Sequence, residues 1–148
     1  MAAELYYIKR RLTLKKSASV RYAGLILLVS FSLLFVFHVL VMTGIVQPGV
    51  VWGGHVESSR TNLILFELVA LAVTLLFLFF IAVKTGLLNL PVFTKIASLG
   101  MWIVFAYMLL NTAANLASGV FLEKIVFAPL TILLALCALR LALEKHTA

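Results

Sequence analysis

One carboxylate, that of Glu67, lies inside an apolar run long enough to cross a lipid bilayer. A carboxylate costs about 2.5 to 3.5 kcal/mol at the centre of a bilayer and less toward an interface. It must therefore be paired with a donor, be protonated or face a wet cavity. Glu67 is thus a candidate for binding a ligand, proton or ion, and equally a candidate for a structural contact between helices.

Few other polar side chains lie within or beside the apolar runs. His38 and two asparagines are the expected hydrogen-bond partners of Glu67, whereas Arg60, two turns earlier, would have to bend inward across roughly 10 Å. Each of these residues also has an ordinary role in packing, in hydrogen bonding between helices or at the membrane interface. The sequence predicts a ligand-binding set made of Glu67, His38, Asn111, Asn115, Arg60, Trp52 and Glu123.

The motifs of common enzymes and metal sites are missing from the sequence. It has no Gly-rich phosphate loop, nucleophile elbow or HExxH pattern, and the single cysteine, Cys137, excludes an internal disulfide and a multi-thiolate centre. We therefore assign no metal ligand and leave the cofactor unknown. A membrane enzyme with Glu67 as general acid or base and His38 assisting is the least favoured of three functions.

The composition is typical of a protein that lies mostly within a lipid bilayer. Hydrophobic residues make up 64% and charged residues 11% of the 148 residues, with a mean hydropathy of +1.18. Soluble domains have an apolar share of about 45 to 50% and a charged share of about 25%. The net charge of +7 is concentrated before the first apolar run, as in a cytoplasmic flank, so no nucleic-acid partner is needed to explain it.

Four apolar segments predict an all-α membrane protein, a transmembrane bundle of four helices. The predicted spans are residues 22–45, 61–83, 96–116 and 125–143, between a basic segment at 1–21 and a tail at 144–148. The Phe-rich second half of the second span has no polar atom and is expected to face lipid. A stripe of small residues on the fourth span, from Ala128 to Ala142, is predicted to dock against another span.

Positive charge predicts the orientation of these spans. With four spans both termini lie on the same side of the membrane. That side has ten Lys and Arg residues, and the other side has two, Arg60 and Lys124. The ten are Lys9, Arg10, Arg11, Lys15, Lys16, Arg21, Lys84, Lys95, Arg140 and Lys145. The positive-inside rule then places both termini in the cytoplasm and the polar residues near the outer surface of a cell membrane. Whether residues 1–21 also bind anionic lipid or only set the orientation is left open.

Several short motifs resemble a family of small, uncharacterised bacterial membrane proteins with four spans. The motifs are Val51-Trp52-Gly53-Gly54, Phe66-Glu67, Asn111-Thr112 with Asn115, Glu123-Lys124, Phe127 and Pro129-Leu130-Thr131. His55 stands where that family often has a cation after the Trp-Gly-Gly motif. The resemblance implies a bacterial inner-membrane protein with a polar site, and it implies no activity.

These observations favour two functions. The first is binding or transport of a small polar molecule, lipid headgroup or cation through a polar pocket in the outer leaflet. The alternative is a structural or assembly subunit of a membrane complex, whose polar groups lock helices together. Expected partners are membrane lipids, a small-molecule or ion ligand, and a second copy of the chain or another membrane protein.

Overall fold

The protein is an all-α bundle of four transmembrane helices. A computed structural model describes residues 18–46 and 60–144. The helices are α1 (Ala18–Met42), α2 (Arg60–Thr85), α3 (Thr94–Ala117) and α4 (Ala128–Ala142). A 3₁₀ turn, Pro91–Phe93, leads into α3, and a π-helical segment, Glu123–Phe127, leads into α4. With these lead-in segments, all four helices are long and apolar enough to cross a membrane.

The helix ends differ from the predicted spans by a few residues. α1 begins at Ala18 rather than Tyr22 and ends at Met42 rather than Ile45. α2 ends at Thr85, and Gly86 follows with a φ of 81°, the left-handed conformation that commonly terminates a helix. The predicted capping residues of α2, Ser58 and Ser59, lie outside the described residues.

The four helices form a closed ring in chain order. α1 packs against α2, α2 against α3, α3 against α4, and α4 against α1. Successive helices run antiparallel, because each helix begins at the end of the bundle where the preceding helix stops. We call the end that holds Ala18, Thr85, Thr94 and Ala142 the terminal end, and the end that holds Met42, Arg60, Ala117 and Ala128 the distal end.

The buried face of α2 carries both apolar and ionisable residues. Six of its nine described buried residues recur three, four or seven residues apart, the spacing of a helix face that packs against neighbours: Leu63, Glu67, Thr74, Phe77, Ile81 and Lys84. Phe80, Ala82 and Val83 in the last turns are buried as well. Glu67 and Lys84 therefore lie on the same inward face, near the distal and terminal ends respectively. The apolar core of the bundle lies between them.

The prediction that the second half of α2 faces lipid was wrong for one of its faces. Phe77 is 3% exposed and Ile81 is fully buried, whereas Leu75 and Leu76 on the other face are about half exposed. The ring of Phe77 contacts Phe31 on α1 edge-on, with ring centroids 5.7 Å apart. A uniformly apolar helix has no polar side to mark its outer surface, so hydropathy alone could not distinguish these two faces.

Small residues permit close contacts between neighbouring helices. Ala128, Ala135 and Ala138 on α4 are buried, so the small stripe does face the interior as predicted. Gly100 on α3 is buried against the ring of Phe80 on α2, where a Cβ atom would overlap the ring. In lipid, such close backbone approach supplies the packing that holds helices together.

Candidate functional site

A histidine and a glutamate form a buried polar pair between α1 and α2. His38 Nδ1 lies 2.7 Å from Glu67 Oε2. The Glu67 side chain is fully buried, whereas the His38 side chain remains 14% exposed. The imidazole is therefore the more accessible member of the pair and partly shields the carboxylate.

The two residues meet because each belongs to the inward stripe of its helix. His38 follows buried Phe31 by seven residues, and Glu67 precedes buried Thr74 by seven residues. Seven residues make nearly two turns, so these side chains share a face. Since α1 and α2 are antiparallel neighbours, the last turns of α1 lie beside the first turns of α2. This places the pair near the distal end of the bundle.

The short distance lets the pair hold a proton between its two members. Either the Nδ1–H of the imidazole donates to the carboxylate, or a protonated carboxyl donates to Nδ1. An imidazolium with a carboxylate, or a neutral imidazole with a protonated carboxyl, has no net charge. A carboxylate beside a neutral imidazole has a net charge of −1. That form is complementary to a cation.

An aromatic layer lies between the pair and the terminal end. The Phe77 ring contacts Phe31 on one side and Tyr107 on the other, with ring centroids 5.7 and 5.2 Å apart. Nearer the pair, the hydroxyl of buried Thr74 donates to the carbonyl of Ala70 in its own helix. The polar pair therefore belongs to the distal part of the bundle. The three aromatic rings lie between it and the terminal end.

Neither of the two asparagines makes a described hydrogen bond to the pair. The amide of Asn111 donates to the carbonyl of Tyr107, one turn earlier on the same helix, at 2.9 Å. Asn115 is half-buried and has no side-chain hydrogen bond within residues 18–46 and 60–144. The expectation that either asparagine pairs with Glu67 was therefore wrong, and His38 is the described partner. An asparagine in a helix can satisfy its amide locally on the backbone carbonyl four residues earlier.

Of the remaining predicted site residues, only Glu123 has a described side chain, and it makes no described hydrogen bond to the pair. Glu123 is half-buried at the start of the π-helical segment, where its carbonyl accepts a hydrogen bond from the N–H of Ala128, five residues later. Pro129, which lacks an N–H, follows directly and cannot continue a regular ladder. Trp52 and the side chain of Arg60 lie outside what the structure describes.

The sequence reasoning missed a buried lysine at the terminal end. Lys84 is only 3% exposed. Its ammonium donates to the hydroxyl of Ser98 on α3 at 2.9 Å and to the carbonyl of Glu144, just beyond α4, at 2.7 Å. A cation in the last turn of a span ordinarily reaches the membrane surface, so its position favoured an exposed role. The spacing of Lys84 from Ile81 and Phe77 was the available signal that it faces inward.

Every neighbouring pair of helices is joined by a side-chain hydrogen bond. At the distal end His38 and Glu67 join α1 to α2, and the Thr112 hydroxyl lies 2.9 Å from that of Thr131, joining α3 to α4. At the terminal end Lys84 joins α2 to α3, and Arg140 joins α4 to α1 through Ser19 at 3.1 Å. The bonds thus alternate between the two ends around the ring.

The pair supplies two donor atoms that can ligate a metal, one imidazole nitrogen and one carboxylate oxygen. In the described part of the chain, no third His, Cys, Asp or Glu side chain comes close enough to complete a metal-binding group. No protein-family model, curated protein or solved structure matches the chain. The resemblance to four-span bacterial membrane proteins therefore stays a prediction, and the function must be inferred from the pair itself.

Proposed function

We propose that the protein binds a small cation, or the cationic group of a small polar molecule, at the Glu67 carboxylate. The ligand reaches Glu67 past His38, which is displaced or loses a proton as the cation binds. This proposal is the binding or transport function predicted from the sequence. It differs in that the site is the His38 and Glu67 pair rather than the whole set of predicted polar residues. Transport across the whole bundle additionally requires the aromatic layer at Phe31, Phe77 and Tyr107 to open.

The observation that supports this proposal is the unequal burial of the pair. A purely structural contact is best served by two fully buried partners, because water then cannot compete for either one. Here Glu67 is fully buried but His38 is 14% exposed. A carboxylate behind a partly accessible titratable partner is the arrangement that a binding group needs, since its partner can be exchanged for a ligand.

The side from which the cation arrives follows from the charge asymmetry. We infer that the terminal end is cytoplasmic and that the distal end faces the outside of a bacterial inner membrane. Arg21 and Lys95 are exposed at the terminal end, in agreement with this orientation. Protease cleavage of a C-terminal tag in sealed spheroplasts would contradict it, whereas cleavage only after lysis is expected.

Thermal unfolding of the protein in phosphatidylcholine nanodiscs tests the cation site, with sodium and choline as the two probes. We expect at least one probe to raise the unfolding midpoint, because a ligand at a hundred times its Kd stabilises the folded state by about 2.7 kcal/mol. Glu67→Gln keeps the shape and a hydrogen-bonding oxygen but loses the charge, so its midpoint should not respond.

Glu123→Gln is the matched control, because it removes a half-buried carboxylate of the same end that is not part of the pair. Its response should equal that of the unaltered protein. The proposal is wrong if neither probe shifts the unaltered protein, or if Glu67→Gln responds as strongly as Glu123→Gln.

The alternative function, a structural or assembly subunit, is favoured by the hydrogen bonds that join each pair of neighbouring helices. In that case Glu67→Gln lowers the unfolding midpoint without changing the response to either probe. A membrane enzyme with Glu67 as general acid or base and His38 assisting is the third possibility, and it rests on this pair alone among the described residues.

A further inference from the structure

A groove of about 560 Å³ opens at the terminal end of the bundle, between the first turns of α1 and the turn that follows α2. Its lining is mostly aliphatic, and includes Leu25, Leu28 and Leu87. Three polar side chains, Arg21, Tyr22 and Thr85, line it as well. The groove lies at the opposite end of the bundle from the His38 and Glu67 pair, so it is not part of that site.

The lining residues are ordered from polar to apolar along α1. Arg21, Leu25 and Leu28 follow each other at four and three residues, which places them on one face. Arg21 lies in the first turn of the helix, and Leu28 is about 10 Å deeper along its axis. A molecule lying in this groove therefore meets a guanidinium at the end of the helix and an aliphatic surface toward the middle of the span.

The inner wall of the groove is closed by a close contact between α1 and α2. Gly24 is buried against the side chain of Thr85, and a Cβ atom at this glycine would overlap the threonine methyl group. On the other side, Tyr22 is 67% and Leu87 is 71% exposed. The groove is thus closed toward the interior of the bundle and open toward lipid and the membrane surface.

The charge at this end of the bundle is complementary to an anion. Arg21 is exposed and forms no ion pair with another described residue. The carboxylate of the terminal end in the described part of the chain is Glu144, and it is paired with Arg140 at 2.9 Å. Exposed Lys95 adds a further positive charge at the same end. An anionic group near Arg21 would therefore be attracted to the guanidinium, and no described carboxylate nearby would weaken that attraction.

We propose that this groove binds one anionic phospholipid, whose phosphate contacts Arg21 and whose acyl chain lies along Leu25 and Leu28. The order of polar and apolar groups in such a lipid matches the order of the lining residues. Tyr22 suits the same level of the membrane, because a tyrosine ring prefers the interface where its hydroxyl remains hydrated. The bound lipid fills the gap between α1 and the turn after α2.

Native mass spectrometry of the full-length protein in mild detergent tests the proposal, with dioleoyl phosphatidylglycerol and dioleoyl phosphatidylcholine as probes. We expect one phosphatidylglycerol to remain bound to each chain and to bind more tightly than phosphatidylcholine. Arg21→Gln should weaken phosphatidylglycerol binding about fivefold, the equivalent of the roughly 1 kcal/mol attributed to one cation near anionic lipid. Phosphatidylcholine binding should change less.

Two further variants distinguish the groove from general surface charge. Lys95→Gln removes a cation of the same end that does not line the groove, so it should leave phosphatidylglycerol binding within about twofold of the unaltered protein. Leu25→Trp fills the groove at a position that is already 58% exposed, and it should reduce the binding of both lipids.

Three outcomes would overturn the proposal. The first is that the unaltered protein retains no phosphatidylglycerol, which would mean that another part of the chain, rather than a lipid, occupies the groove. The second is that Arg21→Gln and Lys95→Gln lose binding equally, which would reduce the effect to surface charge. The third is a dimer that Leu25→Trp dissociates, which would identify the groove as an interface between two copies.

Discussion

The two ends of α2 bury opposite charges in different ways. At the distal end Glu67 is fully buried and meets the titratable imidazole of His38. At the terminal end Lys84 is 3% exposed and meets a hydroxyl and a backbone carbonyl, which do not titrate. The described hydrogen bonds of Lys84 thus go to neutral groups, whereas Glu67 and His38 share a proton between two ionisable groups. We therefore expect the distal pair, which joins two ionisable groups, to contribute more to stability than the described contacts of Lys84.

The largest expected effect comes from removing His38, the described partner of Glu67. His38→Leu takes the imidazole from a buried carboxylate, and loss of one member of a buried pair costs about 3 to 5 kcal/mol. We expect a loss of about 3 kcal/mol in the free energy of unfolding, measured by titration with sodium dodecyl sulfate in mixed micelles. The double variant His38→Leu/Glu67→Leu should recover most of this loss, because no buried charge remains.

Ser32→Leu is the control for this comparison, because Ser32 is exposed on the same helix. Its effect should be within about 0.5 kcal/mol. If His38→Leu were as stable as Ser32→Leu, the imidazole would not be needed to accommodate the carboxylate. The distinction between the two ends of α2 would then fail.

An intermediate effect is expected at the terminal end. Lys84→Met keeps the length of the aliphatic stem but removes the hydrogen bonds to Ser98 and Glu144, both of which are half-buried. Water can reach these two groups, so we expect a loss of about 1 to 2 kcal/mol by the same measurement, less than for a fully buried charge. Lys95→Met, at an exposed position of the same end, should change the free energy by less than about 0.5 kcal/mol. A loss with Lys84→Met as large as that with His38→Leu would show that the two ends are equivalent.

The smallest effect is expected for the neutral hydrogen bond between α3 and α4. Thr112→Val removes the contact of its hydroxyl with that of Thr131. Hydrogen bonds between membrane helices contribute about 0.6 kcal/mol on average and up to about 1.7 kcal/mol. A double-mutant cycle with Thr131→Val should return a coupling in this range, and Thr43→Val, whose hydroxyl bonds only to its own helix, should change the free energy of unfolding less. A coupling above that range would mean that charge is not what distinguishes the Glu67 contact.

Length and hydropathy were sufficient to predict the fold. Four apolar stretches separated by Pro, Gly and charged residues predicted four helices, and the structure contains α1 to α4 at those positions. A spanning helix requires about 20 apolar residues, which is a constraint that the sequence displays directly. The order of the helices around the ring is set by side-chain fit between distant segments, and the sequence did not display it.

The candidate site was only partly predictable. The carboxylate of Glu67 stood out because an acid in an apolar run needs a partner, and His38 was one of the partners named. The asparagines were also named as partners of Glu67, but Asn111 bonds to the backbone carbonyl of Tyr107 and Asn115 makes no side-chain hydrogen bond among the described residues, which hydropathy does not reveal. Lys84 was missed because its place near the end of a span suggested a surface cation, while its spacing from Ile81 indicated an inward face.

The hydrogen bond between Ser19 and Arg140 brings the first and last helices together. Residues 18 and 144 therefore lie at the same end of neighbouring, antiparallel helices. Each helix has two neighbours in the ring, so the packing does not mark any helix as the first. A linker from residue 144 back to residue 18, with new termini cut in the turn between α2 and α3, would preserve all four helix contacts. The protein is in this sense a circularly permutable bundle, in which the order of synthesis and the order of packing are separable.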